Sequence, residues 1–179
     1  MTKTTERKYK AAPAAIKHME INEKDHEHFL YPGTLFAHME PYVITTILGS
    51  CIAVCLWDPI LKYGGMNHYL LPLWNGDGLP SPKYGSIAIP KLIEKMLSFG
   101  SNKRSLKAKV FGGASLIKQT SGLLNVGERN ITLAEDLLAE EGIPVISGDV
   151  GGDQGRKIFL QTNTGMVKLK KIQKTIGVT

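Results

Sequence analysis

The chain has 179 residues, with 22 Lys+Arg against 16 Asp+Glu, 42% hydrophobic and 21% charged residues. That length suits one domain with a full core, and the composition excludes collagen-like and wholly disordered chains. No stretch reaches the roughly 18 consecutive apolar residues that span a bilayer, and two cysteines exclude a disulfide-rich scaffold and make a reducing, cytoplasmic setting the expectation.

The opening residues, MTKTTERKYK, carry charges without an apolar run behind them, so they do not read as a secretory signal. The net charge of +6 invites a nucleic-acid reading, but its placement argues against one. Lys3, Arg7, Lys8, Lys10, Lys17 and Lys24 lie in the first 24 residues, and Lys168, Lys170, Lys171 and Lys174 lie near the C-terminus. The middle holds no basic run interleaved with aromatics, the pattern of a stacking platform. No nucleic-acid partner and no direct membrane insertion are expected. Solvated ends are the plain reading; long-range attraction to an acidic protein partner is the sharper one.

In chain order, residues 1–27 read as a polar, mobile leader and residues 28–175 as the folded domain. His26 and His28 lie at that boundary without an acidic or cysteine ligand set, so they read as solvated, like His18 and His38. From Tyr42 to Trp57 the chain is almost wholly apolar or small, rich in Val, Ile and Thr, and interrupted by Gly49-Ser50. It reads as two buried strands or a strand with a bent continuation. Asp58-Pro59 ends it, and Tyr63-Gly64-Gly65 reads as a turn. Met66 to Leu71 is a short strand stopped by Pro72, and residues 74–86 form a loop. Ile87, Leu92, Ile93, Met96 and Leu97 fall at helical spacing, with Pro90 in the first turn or at a kink and Gly100 closing the helix.

Lys107 to Phe111 reads as a strand ending at Gly112-Gly113. Arg129 to Glu141 reads as a second helix, capped by Asn130 or Thr132. Ile143 to Ser147 is a strand, and Gly148, Gly151, Gly152 and Gly155 mark a loop. Two further strands flank a hairpin turn at Thr162–Gly165. The fold class is therefore α/β (α+β): a single domain of layered mixed β-sheets with two main flanking helices.

Cys51 is the most informative residue. It follows Gly49-Ser50 at a break between apolar runs, and a tight turn at a strand end holds a nucleophile rigidly while exposing it to a cleft. The small residues Gly49 and Ser50 let backbone N–H groups approach a developing oxyanion. The plainer reading makes Cys51 a small core hydrophobe. Pairing with Cys55 is excluded on a strand, where four residues span about 13 Å at about 3.3 Å each, beyond the roughly 7 Å a disulfide tolerates. No C-x-x-C spacing suggests a metal site. His68 is the candidate base for that thiol: a lone histidine in an apolar strand is more often structural, but the loop between its strand and that of Cys51 is short. Thr45 and Thr46 precede the cysteine; a threonine hydroxyl can orient an imidazole, although strand propensity alone explains both. Gly112-Gly113 and Gly151-Gly152 complete no phosphate-loop motif and read as turns or as close approaches of backbone to a site.

These motifs together resemble a known family. T-T-I-L-G-S-C-I-A-V-C-L-W-D-P (45–59) and G-G-M-N-H-Y-L-L-P (64–72) are similar to the chemoreceptor glutamine deamidase family, CheD. Three more blocks agree in order: K-V-F-G-G-A (109–114), N-V-G-E-R-N-I (125–131) and G-D-V-G-G-D-Q-G-R-K-I (148–158). The resemblance runs from about Leu30 to Leu169. It implies a layered fold similar to the catalytic domain of cytotoxic necrotizing factor toxins. It places the family's catalytic cysteine on Cys51, its histidine on His68, and its threonine, six residues before the cysteine, on Thr45, with Thr46 adjacent. It implies hydrolysis of glutamine side chains to glutamate on the cytoplasmic helices of methyl-accepting chemotaxis receptors. In some members it extends to glutamyl methyl esters. No metal and no organic cofactor are implied. A CheC-type phosphatase is the second implied partner, and a non-catalytic module that docks and stimulates it is the competing reading. The resemblance favours a monomer until a partner is met.

Overall fold

The computed structural model describes Tyr9, Met19, residues 24–116 and residues 125–173. In chain order these residues form β1 (His26–Phe29), β2 (Thr34–His38), β3 (Tyr42–Leu48), β4 (Ile52–Asp58), β5 (Tyr63–His68), α1 (Gly85–Ser98), β6 (Lys107–Gly112), α2 (Val126–Glu140), β7 (Val145–Val150), β8 (Gly155–Gln161) and β9 (Met166–Ile172). Strands β1-β3-β8-β9 make one sheet and β2-β5-β4-β6-β7 the other. Both are mixed: β1 runs parallel to β3 and β7 parallel to β6, while the other pairs are antiparallel. Among the described residues this is the α+β, two-helix, mixed-sheet domain expected of the sequence.

The apolar run at 42–57 is continuous because β4 is covered on both faces. Ile52, Val54 and Leu56 point one way and join the helices' buried residues, among them Ile89, Leu92 and Met96. Ala53 and Cys55 point the other way and pack with Met66 and Phe111 against Ile44, Leu48, Ile158 and Leu160 of the four-stranded sheet. The order is thus helices, five-stranded sheet, four-stranded sheet. The break at Gly49-Ser50 is where the chain leaves one sheet for the other. Burying each large aliphatic side chain in these layers contributes about 1.5–3 kcal/mol.

Several local expectations change. The stretch read as leader falls mostly outside the described residues, but β1 begins at His26, within its last two positions. His28 is half-buried and stacks on Phe36 with ring centroids 3.8 Å apart, so it is not a freely solvated side chain. Gly64-Gly65 lies inside β5 rather than in a turn. A Cβ at Gly64 would meet the Thr162 backbone at 2.9 Å and one at Gly65 the Ala37 side chain at 2.5 Å, so these glycines serve close packing. The turn before β5 is made at Lys62, whose φ is 61°. Pro90 is inside α1, on its exposed side; the N–H it lacks would have bonded Ser86 in the first turn, so one bond is forgone. Helix α2 starts earlier than expected, with Asn125 as its cap accepting from the Glu128 N–H at 3.1 Å. Asn130 is buried on the inner face of the helix and caps nothing.

Candidate active site

Cys51 sits between β3 and β4, half-buried against the layer between the sheets. Four successive carbonyls around it are held by the body of the protein. Gly49 accepts from the Ala114 N–H at 2.9 Å and Cys51 from the Gly113 N–H at 2.8 Å. Ser50 accepts from Asn130 Nδ2 at 3.1 Å, and Ile52 from the Tyr69 N–H at 3.0 Å. A loop tied at each residue is held in place while Cys51 stays only half-buried. Gly112 lets the β6 backbone come this close: its φ is 109°, and a Cβ there would lie 2.1 Å from the Cys51 carbonyl oxygen. The 148–158 block supports the same wall. The Gly151 N–H donates to Gly112, Ser115 donates to Gly152, and the buried Arg156 side chain donates to the carbonyls of Gly151 and Gln154 and to the Asp149 carboxylate.

His68 ends β5 and is fully buried. Register places it beside the thiol. Cys55 faces Met66 and Ile52 faces Tyr69, so in the same register Ala53 faces His68. Cys51, two residues before Ala53, projects from the same face. The two are diagonal cross-strand neighbours, a relation of about 7–8 Å that an imidazole ring can bridge. Between them the ladder opens. Val54 donates its N–H to the Asn67 side-chain oxygen at 2.9 Å instead of to backbone, so the Asn67 amide stands between β4 and β5 next to His68.

The hydroxyl against His68 belongs to Thr46, not to Thr45. Thr46 Oγ1 lies 2.8 Å from His68 Nδ1 and 2.8 Å from the Leu30 carbonyl oxygen. The reason is strand parity: Ile44, Thr46 and Leu48 face the inner layer, whereas Thr45 points to the other side of β3. The hydroxyl has one proton, and the Leu30 carbonyl can only accept, so Thr46 donates to Leu30 and accepts from His68 Nδ1–H. This fixes the tautomer with Nε2 unprotonated. Nε2 is buried and takes no hydrogen bond among the described residues.

The electrostatics fit a neutral pair. Burial pushes the His68 pKa down from 6.5 to about 4. Burial pushes the Cys51 thiol up, partly offset by its own backbone N–H, which lies against the sulfur. Near pH 7 the site therefore holds a thiol beside an imidazole with a free lone pair, not a preformed ion pair. Such a site can accept a proton as the sulfur attacks and return it to a leaving group. Cys55 is a different case: fully buried, its thiol is pushed up to about 12, and it acts as core. Both cysteines are free. Among the described residues no group of three or more His, Cys, Asp and Glu is placed to hold a metal ion, and no helix is long and apolar enough to cross a membrane.

The structure sets Thr46 rather than Thr45 against His68, and the strand register puts the Gly49-Ser50-Cys51 segment next to the strand that ends in His68. Asn67 and Asn130 carried no local signal of their roles, although both stand in blocks that the family resemblance singled out.

The profile of the family described as CheD chemotactic sensory transduction matches residues 70–171. A protein of Sulfurimonas denitrificans named probable chemoreceptor glutamine deamidase CheD is 52% identical over 159 residues, covering 88% of this chain and 99% of that one. One of the same name from Trichlorobacter lovleyi is 53% identical over 143 residues, covering 80% and 89%. The solved structure of the Bacillus licheniformis hypothetical protein YfiH aligns with a TM-score of 0.40 at 14% identity, over 73% of this chain and 60% of that one, too slight a likeness to carry an inference. The profile match begins after His68, but a stretch as long as that shared with the Sulfurimonas protein necessarily contains both Cys51 and His68. On the strength of that identity over nearly the full length of a relative, the chain belongs to the CheD family.

Proposed function

We propose that this protein hydrolyses glutamine side-chain amides to glutamate on the cytoplasmic helices of chemotaxis receptors, with Cys51 as nucleophile and His68 as general base and acid. The observation that carries the mechanism is the Thr46–His68 contact, which leaves Nε2 unprotonated on the side of the sheet from which Cys51 projects. The names of the relatives support the substrate.

The substrate amide carbon is attacked by Sγ while His68 Nε2 takes the thiol proton. The tetrahedral intermediate carries its negative charge on the former amide oxygen, near the backbone N–H groups of Ser50 and Cys51. Collapse breaks the C–N bond, and Nε2–H protonates the departing ammonia. Water then attacks the thioester and gives a proton to Nε2, which returns it to the sulfur, leaving a glutamate and the free thiol. Thr46 keeps the ring in one tautomer throughout. A glutamyl methyl ester follows the same course with methanol as the leaving group.

The test is mass spectrometry of a receptor cytoplasmic fragment from the same organism, incubated with wild-type protein and with Cys51→Ala. Mass increases of about one dalton at specific glutamines with the wild type alone are expected. Conversion by Cys51→Ala at the wild-type rate would remove the thiol from the mechanism.

A further inference from the structure

We infer that Asn130 of α2 is a positioning residue that orients the Ser50–Cys51 peptide so that the Cys51 N–H serves as an oxyanion donor. This rests on the hydrolytic reading of the site above. The Asn130 side chain is fully buried, and its one amide nitrogen donates to two carbonyls, Ser50 at 3.1 Å and Leu70 at 2.9 Å. The residue before the nucleophile and the residue two beyond the base are thereby held by a single group. Tyr69, between His68 and Leu70, closes the arrangement by donating its hydroxyl to the Asn130 backbone carbonyl at 2.6 Å.

The geometric consequence follows from peptide planarity. In a trans peptide the C=O and the following N–H point in opposite directions. Holding the Ser50 carbonyl toward α2 therefore turns the Cys51 N–H away from α2. There it lies against its own sulfur, beside the atom that would form the new bond. Fixing a donor before the charge develops is the efficient way to stabilise an oxyanion, because nothing reorganises during the reaction.

The amide is also badly served as a mere structural group. Its Oδ1 is buried without a hydrogen-bond partner among the described residues. Both of its N–H bonds are spent on the two loop carbonyls. Its donors are what the site needs.

The test compares Asn130→Ala and the isosteric Asn130→Asp, which keeps the volume but has no N–H to give. Circular dichroism first establishes folding. Deamidation kinetics on the receptor fragment are then set beside alkylation of Cys51 by iodoacetamide across pH. Alkylation needs a thiolate but no oxyanion donor. The expected result is a fall in kcat of about 30-fold or more with KM within about 3-fold of wild type, since removing one such donor outright costs about 100–1,000-fold. The alkylation rate should keep its high-pH plateau, with only its midpoint moving up because the Cys51 N–H no longer lies against the sulfur. Unchanged kcat in a folded variant overturns the inference. So does a plateau alkylation rate that falls in step with kcat, because the effect is then on the thiol, and so does failure of both variants to fold. A wild-type protein that leaves receptor glutamines intact removes the hydrolytic reading and this inference with it. A wild type that converts them beside an equally active Asn130→Ala removes this inference alone.

Discussion

Replacing Thr46 by Val tests the tautomer lock with little change of shape. The hydroxyl accepts from His68 Nδ1–H and donates to the Leu30 carbonyl, both at 2.8 Å, and both residues on either side of it are almost wholly buried. Valine leaves a buried donor and a buried acceptor without this partner, at about 1–3 kcal/mol each in stability. The catalytic loss is separate. Once Nδ1–H is unpaired, the ring is free to hold its proton on Nε2, where it cannot act as a base. If the lock contributes about 1.4–2.7 kcal/mol to the neutral, Nε2-free form, kcat falls about 10–100-fold. Thr45→Val is the matched control, because that hydroxyl faces the other side of β3. Deamidation of the receptor fragment, followed by mass spectrometry at several substrate concentrations, gives kcat and KM for each. A Thr46→Val protein within about 3-fold of wild type in kcat would refute the argument, as would an equal loss in Thr45→Val.

Three further outcomes are expected. His68 is depressed from 6.5 to about 4, so its neutral form contributes stability that is fully present above pH 6.5 and lost as the pH falls through 4. Denaturant unfolding should show that loss, on the order of 3 kcal/mol, and His68→Gln should abolish most of it; an identical pH dependence in both proteins would count against it. The same depression places the acid limb of kcat/KM well below pH 6, where an unperturbed histidine would put it near 6.5. Gly112→Ala forces a Cβ within 2.1 Å of the Cys51 carbonyl at a φ of 109°, and should lower stability by about 2 kcal/mol or more while reducing activity in the protein that still folds. Wild-type melting and turnover in that variant would show that the β6 backbone has room to move.

The placement of Cys51 at a bend was legible in the sequence because a small-residue break in an apolar run is a local signal. The nearness of the His68 strand was legible because it follows by a short connection. The threonine that meets His68 was not. Thr45 and Thr46 are adjacent, and which of them faces the inner layer depends on the register of β3 against β8, a fact about a partner strand more than a hundred residues away. Strands β1 and β2, HEHF and TLFAH, are short and mixed in polarity, so neither shows the apolar signal that marked β4. The paired glycines of β5 looked like a turn because glycine permits turns; here it permits close approach, and only the neighbours tell the two apart. Asn130 looked like a cap for the same reason. Its partners are carbonyls sixty and eighty residues distant, and no local pattern announces them.

The crossing of the chain from one sheet to the other at Gly49–Cys51 has a mechanical consequence. The thiol and imidazole ride on one sheet, while the hydroxyl that selects the tautomer rides on the other. Sliding the two layers past each other by an ångström would leave every strand hydrogen bond in place and still part Thr46 from His68. Turnover in this protein should therefore act as a gauge of interlayer alignment. On heating it should fade ahead of the loss of secondary structure, in the interval where the layers have loosened but neither has come apart.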